Sequence, residues 1–204
     1  MIKPVDPFHS KRLLYRAIED NADDENFIYE VQRDAEAQSG SQFSILTPES
    51  KKTSNRFKQY LLEQPLLAVI FCLPSDVSRP DGQAPTPVGI ISLRGLTPTS
   101  AQHRYSYISI DVLRPYRGQG YGSEAIEWIL GYGFQMANLH RIGIETFSYN
   151  TGAMKLYEKL GFRPEGCRRE EVWFDGGWHD HITFGMLENE WREKMQKEQK
   201  GWRV

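Results

Sequence analysis

Apolar positions along this chain recur with two periods, and the changes between them mark the elements. Residues 11–19 carry Leu13, Leu14, Tyr15, Ala17 and Ile18 and read as a first strand. The acidic cluster at residues 20–24 suits a helix N-terminus electrostatically, and Phe27, Ile28, Val31 and Ala35 then recur at helical spacing. After a polar break at residues 38–44, Thr47-Pro48-Glu49 has the order of a capping residue, a proline in the first turn and an acid. It predicts a second helix with Phe57, Tyr60 and Leu61 as its buried stripe. Strands follow at residues 66–73, 88–93 and 104–112. Residues 123–139 form a helix with Ala125, Ile126, Ile129, Leu130 and Phe134 on one face. Residues 141–147 are a strand. Residues 151–160 are a short helix, with Ala153, Leu156, Tyr157 and Leu160 spaced by threes and fours and Gly161 as a left-handed cap. Residues 167–174 and 178–187 flank Asp175-Gly176-Gly177 and read as a hairpin. The order β-α-α-β-β-β-α-β-α-β-β is that of an α/β (α+β) fold.

Length and composition narrow the picture. The 204 residues suit one domain over 1–204, with a core at about 11–187. Residues 74–87 read as an exposed loop. Residues 188–204 read as a charged C-terminal helix or tail anchored by Trp191. A net charge of −2 gives no basic excess for nucleic acid. No apolar run approaches the about 18 residues of a membrane span, and residues 1–10 lack a secretory signal. Two distant cysteines, Cys72 and Cys167, without metal spacing point to a reduced, cytoplasmic setting. His179 and His181 share one face of a strand, but no third ligand is nearby in the sequence, so no metal is expected. Trp173, Phe174 and Trp178 either line an acceptor pocket or pair across the hairpin. The cluster at residues 168–171 reads as a solvated face.

The stretch that organises the rest is Arg117-Gly118-Gln119-Gly120-Tyr121-Gly122, between a β-branched run and a long helix. Its three glycines permit φ > 0 and leave backbone N–H groups uncovered. The helix that follows opens with unpaired N–H groups at the positive end of its dipole. That arrangement binds phosphate, and Arg117 adds a full charge. A Walker loop is excluded because the Gly-Lys-Ser/Thr ending is missing. The third glycine comes one residue early for a dinucleotide fingerprint.

The pattern R-x-x-G-x-G resembles the pyrophosphate loop of the Gcn5-related N-acetyltransferases. A second segment, Asn150-Thr151-Gly152-Ala153-Met154-Lys155-Leu156-Tyr157-Glu158-Lys159-Leu160-Gly161-Phe162, resembles the N-x-x-A-x-x-L-Y-E-K-L-G-F segment of the same superfamily. Glu165-Gly166, the hairpin up to Asp180 and, faintly, Arg12-Leu13-Leu14 resemble the branch that includes ribosomal-protein alanine N-acetyltransferases and spermidine acetyltransferases. The resemblance is firm from about residue 104 to 187. It implies a strongly twisted mixed sheet splayed after its fourth strand, with helices on both faces. It also implies acetyl-CoA as cofactor, an amine as acceptor and a monomer or homodimer.

Site residues follow from the same resemblance. Ile110, Asp111 and Val112 match the positions that pair with the pantetheine amides. Arg117, Gly118, Gln119, Gly120, Tyr121, Gly122 and Ser123 match the pyrophosphate loop, and Asn150 and Ala153 the segment beside the cofactor arm. Tyr157 matches a tyrosine whose hydroxyl faces the CoA sulfur, where it can protonate the departing thiolate. Glu145 matches a catalytic glutamate of the ribosomal-protein enzymes, with Asp111 as its competitor for the role of base. Two other readings stand beside the enzyme: a non-catalytic acyl-CoA-binding module, and a phosphate-binding domain for another nucleotide.

Overall fold

The computed structural model describes residues 6–75 and 84–197. In chain order the elements are β1 (Leu14–Arg16), α1 (Ala22–Gln32), α2 (Ala35–Ser39), α3 (Lys51–Glu63), β2 (Leu67–Leu73), β3 (Thr86–Leu93) and β4 (Tyr105–Val112). After them come α4 (Tyr121–Gly131), β5 (Arg141–Phe147), α5 (Thr151–Leu160), β6 (Arg163–Phe174), β7 (Gly177–Leu187) and α6 (Glu188–Lys197). The centre of the expected 74–87 loop and the tail beyond Lys197 lie outside the described residues.

The strands form one sheet in the order β1-β2-β3-β4-β5-β7-β6. Every neighbouring pair is antiparallel except β4 and β5, which are parallel and joined through α4. β2 is apolar throughout because both its faces are covered. Val69 and Phe71 pack with Ala125, Ile126, Ile129 and Leu130 of α4. Ile70 and Cys72 pack with Phe27, Ile28 and Val31 of α1 and Leu61 of α3. α4 is buried on several sides, and Trp128 lies flat on Tyr15 with ring centroids 3.6 Å apart. Each such buried apolar side chain contributes roughly 1.5–3 kcal/mol. No helix among the described residues is long and apolar enough to cross a membrane.

The sheet opens between β4 and β5. Only Tyr105, Ser106 and Tyr107 of β4 pair with β5, opposite Arg141, Ile142 and Gly143. Beyond them the strands diverge, and the β5-facing edge of Ile108–Val112 is left unpaired. This is the splay after the fourth strand that the family resemblance implies.

Several local expectations are corrected. The first strand shrinks to Leu14–Arg16. α3 begins at Lys51 rather than at Pro48, because Ser50 outcompetes Thr47 as the cap: its hydroxyl accepts from the Thr53 N–H at 3.2 Å. The buried face of α3 is turned accordingly. Tyr60 is 41% exposed, while Lys58 is buried and its ammonium reaches Asp20 at 2.7 Å. Ala35 does not continue α1, since Asp34 ends that run and caps α2. The helix expected over 123–139 gives way after Gly131 to a π-turn over Tyr132–Met136. β6 starts already at Arg163. Gly161 at φ 96° and the Asp175-Gly176 turn, both residues at positive φ, are as expected.

Candidate active site

The divergence of β4 from β5 makes a cleft of about 560 Å³. One wall is β4 from Ile108 to Val112, and the other is Ile144 and Glu145 of β5. Asn150, Ala153 and Tyr157 also line it, as do Glu36, Ala37 and Ser39 of α2 and the Gly40 and Ser41 that follow. Tyr149 helps to hold α2 there. Its hydroxyl donates to the Ser39 carbonyl, and its ring stacks on Phe174 at 4.7 Å.

Beside the cleft, the glycine-rich loop begins α4. Gly118 and Gly120 have φ of 72° and 83°, which a side chain would strain. Gly122 does not need that freedom. It lies in the first turn of α4, and a Cβ there would sit 3.4 Å from Val112 Cγ2, so its role is close packing on β4. α4 has no side-chain cap, whereas Asn21, Asp34, Ser50 and Asn150 cap α1, α2, α3 and α5. The first N–H groups of α4 therefore lack the side-chain partner that those other helix starts have. Tyr121 and Ser123 lie in its first turn, half-buried, and the Gln119 amide donates back to the Pro115 carbonyl.

The loop's charge is distributed differently from the expectation. Arg117 donates from Nε to the Val112 carbonyl at 2.9 Å and from Nη2 to Asp34 at 2.8 Å. It lines the cleft and ties α2 to the end of β4. Burial raises the Asp34 pKa, but the bonds from Arg114, Arg117 and the Ala37 N–H outweigh it and hold the carboxyl below its ordinary value. The cation nearest Gly120 is Arg12. A Cβ on Gly120 would lie 3.2 Å from its Nη2. Arg12 donates to the Gln119 carbonyl, pairs with Glu124 at 2.7 Å and rests over the Tyr121 ring at 4.6 Å.

Tyr157, Asp111 and Glu145 are among the ionisable groups that line the cleft. Tyr157 is buried, and desolvation, helped by the charge of Asp111, pushes its pKa well above the usual tyrosine value. It is therefore a neutral O–H donor at ordinary pH. Asp111 is pushed up to about 6 by burial, against the pull of Arg117 and with a push from Asp34. Glu145 lies 3.9 Å from Arg94 and 3.8 Å from His181 Nε2.

His181 is 3% exposed, and its Nδ1 meets Glu171 at 2.8 Å. That bond puts the proton on Nδ1 and leaves Nε2 facing Glu145 without a hydrogen bond. A bulge in β6 aims Glu171: Glu170 takes φ 52° and donates its N–H to Asp180. Residues 168–171 are thus not wholly a solvated face. His179 turns to the Phe174 carbonyl, and no cluster of three metal-ligating side chains occurs among the described residues. Trp173 and Trp178 pair across the hairpin tip, 60% and 58% exposed and away from the cleft. Asn150 caps α5 through Oδ1, which accepts from the Ala153 N–H at 3.2 Å. Its Nδ2 is directed at Gly40, where a Cβ would come within 2.9 Å.

A model of the acetyltransferase (GNAT) family matches residues 42–162, more than half of the chain. The chain belongs to this family. Among its relatives, the prophage-derived N-acetyltransferase YokL of Bacillus subtilis is 35% identical over 79 residues, 39% of this chain and 45% of that protein. The spermidine N(1)-acetyltransferase of Vibrio cholerae is 28% identical over 107 residues, 52% of this chain and 62% of that protein. The chain thus spans about half the length of the curated relatives it matches. Among solved structures, the spermidine N-acetyltransferase of Vibrio cholerae in complex with CoA and spermine aligns with a TM-score of 0.71 at 22% identity. The alignment covers 90% of this chain and 99% of that one. A GNAT-family acetyltransferase from Bacillus anthracis aligns with the same TM-score, covering 89% and 98%. These likenesses show the GNAT fold.

The residues present fit the family's cofactor. The start of α4 has no side-chain cap, and the space where a Gly118 Cβ would stand is open for 4 Å. The unpaired edge of β4 offers backbone groups to an amide-bearing arm. The Tyr157 hydroxyl has no hydrogen-bond partner among the described residues, and its side chain lines the same cleft as that edge. Asp34, Tyr149 and Arg94 escaped the sequence reading, and Arg12 and His181 were named there without a place in this site, because each owes its position to a partner distant along the chain.

Proposed function

We propose that the protein is an acetyl-CoA-dependent N-acetyltransferase that moves the acetyl group directly to a primary amine. The observation that carries the reading is the cleft itself. Tyr157, Glu145 and the unpaired strand edge of β4 all line it, which supports the reading. The pyrophosphate would rest on Gly118–Ser123 at the start of α4, with Arg12 beside it. The pantetheine amides would pair with Ile110, Asp111 and Val112 as a neighbouring strand would, and Asn150 and Ala153 would flank the arm.

The chemistry follows from the groups. An amine arrives as ammonium, and the Glu145 carboxylate takes its proton. The free amine attacks the thioester carbonyl, whose developing oxyanion is met by a backbone N–H near Val112. As the tetrahedral species collapses, Tyr157 would give its proton to the departing CoA thiolate and be reprotonated by the second proton that the amide nitrogen must lose, so the net proton released is the one taken by Glu145. No acyl-enzyme is formed. A second reading makes Asp111 the base, and its pKa of about 6 favours it, because a base works best near the operating pH. Loss of activity in Asp111→Asn with an active Glu145→Gln would transfer the role.

The test is release of free CoA from acetyl-CoA in the presence of a panel of amines, with the product identified by mass. Acetylated amine is expected. Binding of CoA without transfer to any amine would replace the enzyme with a CoA-binding module. Stabilisation by ATP or NAD but not CoA would overturn the cofactor.

A further inference from the structure

A second cavity of about 580 Å³ adjoins the first and shares Arg94 and Glu145 with it. Its floor is the ring of Tyr107, which lies on Gly143. A Cβ on Gly143 would come within 2.5 Å of that ring, so only glycine leaves the ring its place. The guanidinium groups of Arg94 and Arg141 lie 4.9 and 5.5 Å from the ring centre. Arg168 adds a third guanidinium, His103 and His140 complete the lining, and Glu145 is its one carboxylate.

The cations are not equally engaged. Arg141 is bound by Glu165, and Arg168 by Glu171 at 3.1 Å. Arg94 is 59% exposed, and its ion pair among the described residues is the long contact of 3.9 Å to Glu145. Its backbone is fixed on both sides. The Arg94 N–H donates to the Tyr107 carbonyl, and the Arg94 carbonyl accepts from the buried Ser106 hydroxyl at 2.7 Å. The side chain therefore starts from a rigid point and projects into an open space. In the first cleft, by contrast, the carboxylate of Glu36 is already met by Arg114 at 2.8 Å.

We infer that the second cavity is an acceptor subsite for amines that carry an anion, a carboxylate or a phosphate, at the end away from the amino group. The inference rests on the proposed acetyl transfer and names its substrate class. With the amine at Glu145, the far end of the acceptor lies among Arg94, His103 and His140. A guanidinium offers a carboxylate or phosphate two parallel hydrogen bonds, and it repels a second ammonium. The subsite therefore selects against polyamines.

The experiment compares acceptors with the same five-methylene chain: ε-aminocaproate, ending in carboxylate, and cadaverine, ending in ammonium. O-phosphoethanolamine tests phosphate. In wild type, kcat/KM for one of the anionic amines is expected to exceed that for cadaverine by at least about ten-fold. The preferred anion then tells carboxylate from phosphate. Arg94→Gln is expected to remove most of that preference, and Arg94→Glu to invert it. CoA affinity by calorimetry is the control that separates a changed acceptor preference from changed cofactor binding, since Arg94 also lines the first cleft. Preference for cadaverine in wild type, or an unchanged preference in Arg94→Glu, would overturn the inference. If no amine is acetylated while CoA binds, the enzymatic reading fails separately. Calorimetry on the CoA-loaded protein then decides the subsite: binding of either anionic amine but not of cadaverine upholds it, and any other pattern refutes it.

Discussion

The two halves of β4 behave differently. From Tyr105 to Tyr107 the strand pairs with β5, and Tyr107 lies against the glycine opposite. From Ile108 to Val112 the same strand pairs only with β3, and its other edge is bare. An unpaired edge inside a sheet costs stability unless something satisfies its backbone groups. Here it carries Asp111 and faces Tyr157 and Glu145. The difference teaches that one interior strand completes its pairing in one half and leaves it incomplete in the half where the chemistry is proposed.

The largest expected effect lies two residues past Gly143, the last residue of β5 that pairs with β4. Glu145→Gln should lower kcat/KM by about 10²–10⁴-fold, most strongly at low pH, with partial recovery as free amine becomes abundant. A steady-state pH profile checks it. Gly120→Asp comes next. It places a carboxylate in a left-handed position against Arg12, where a phosphate would sit. CoA affinity by calorimetry should fall by about 10² or more, with the melting temperature within a few degrees of wild type. Tyr157→Phe keeps the ring packed on Phe184 and removes a hydroxyl that has no partner among the described residues. Stopped-flow and steady-state assays should show kcat down by about 10–10³-fold and CoA affinity within a few-fold.

Gly143→Ala attacks the closed half instead. The new methyl meets the Tyr107 ring, so thermal unfolding should report a loss of about 1–3 kcal/mol. The smallest effect concerns Asp111. Its pKa of about 6 in the fold lies above the about 3.9 of an unfolded aspartate, so the folded chain holds more protons between those values. Stability therefore falls as pH rises through that window and stays lower above it. Asp111→Asn removes the titration. At pH 8 it should be more stable than wild type by about 1–2 kcal/mol, a figure reduced because the carboxyl lines an open cleft, and the gap should close towards pH 4. Melts across that range check the sign.

How much of this was legible beforehand depends on how far apart the deciding residues lie. The α4 loop, the Gly161 cap and the Asp175-Gly176 turn were readable, because each is set by the φ preferences of a few neighbours. The apolar faces of α4 and α5 followed from spacing. The second family motif located Asn150 and Tyr157, the likeness to the ribosomal-protein enzymes singled out Glu145, and the cleft brings all three together. The start of α3 was misread because two capping signals stand three residues apart, and only Ser50 found the backbone N–H to bind.

The sequence by itself determined the order and kind of most elements, the glycine-rich loop at the start of α4 and the family. Those depend on periodicity and on backbone preferences within a turn or two. Tertiary structure alone decided where the charges went. Arg117 was visible as a loop cation, but its guanidinium is bound by Asp34, 83 residues away, while Arg12 comes across to Gly120. It likewise decided that His181 stands between two carboxylates, and that Arg94 opens into a cavity. A charged side chain takes the partner that packing brings within about 3 Å, and chain spacing carries no record of that choice.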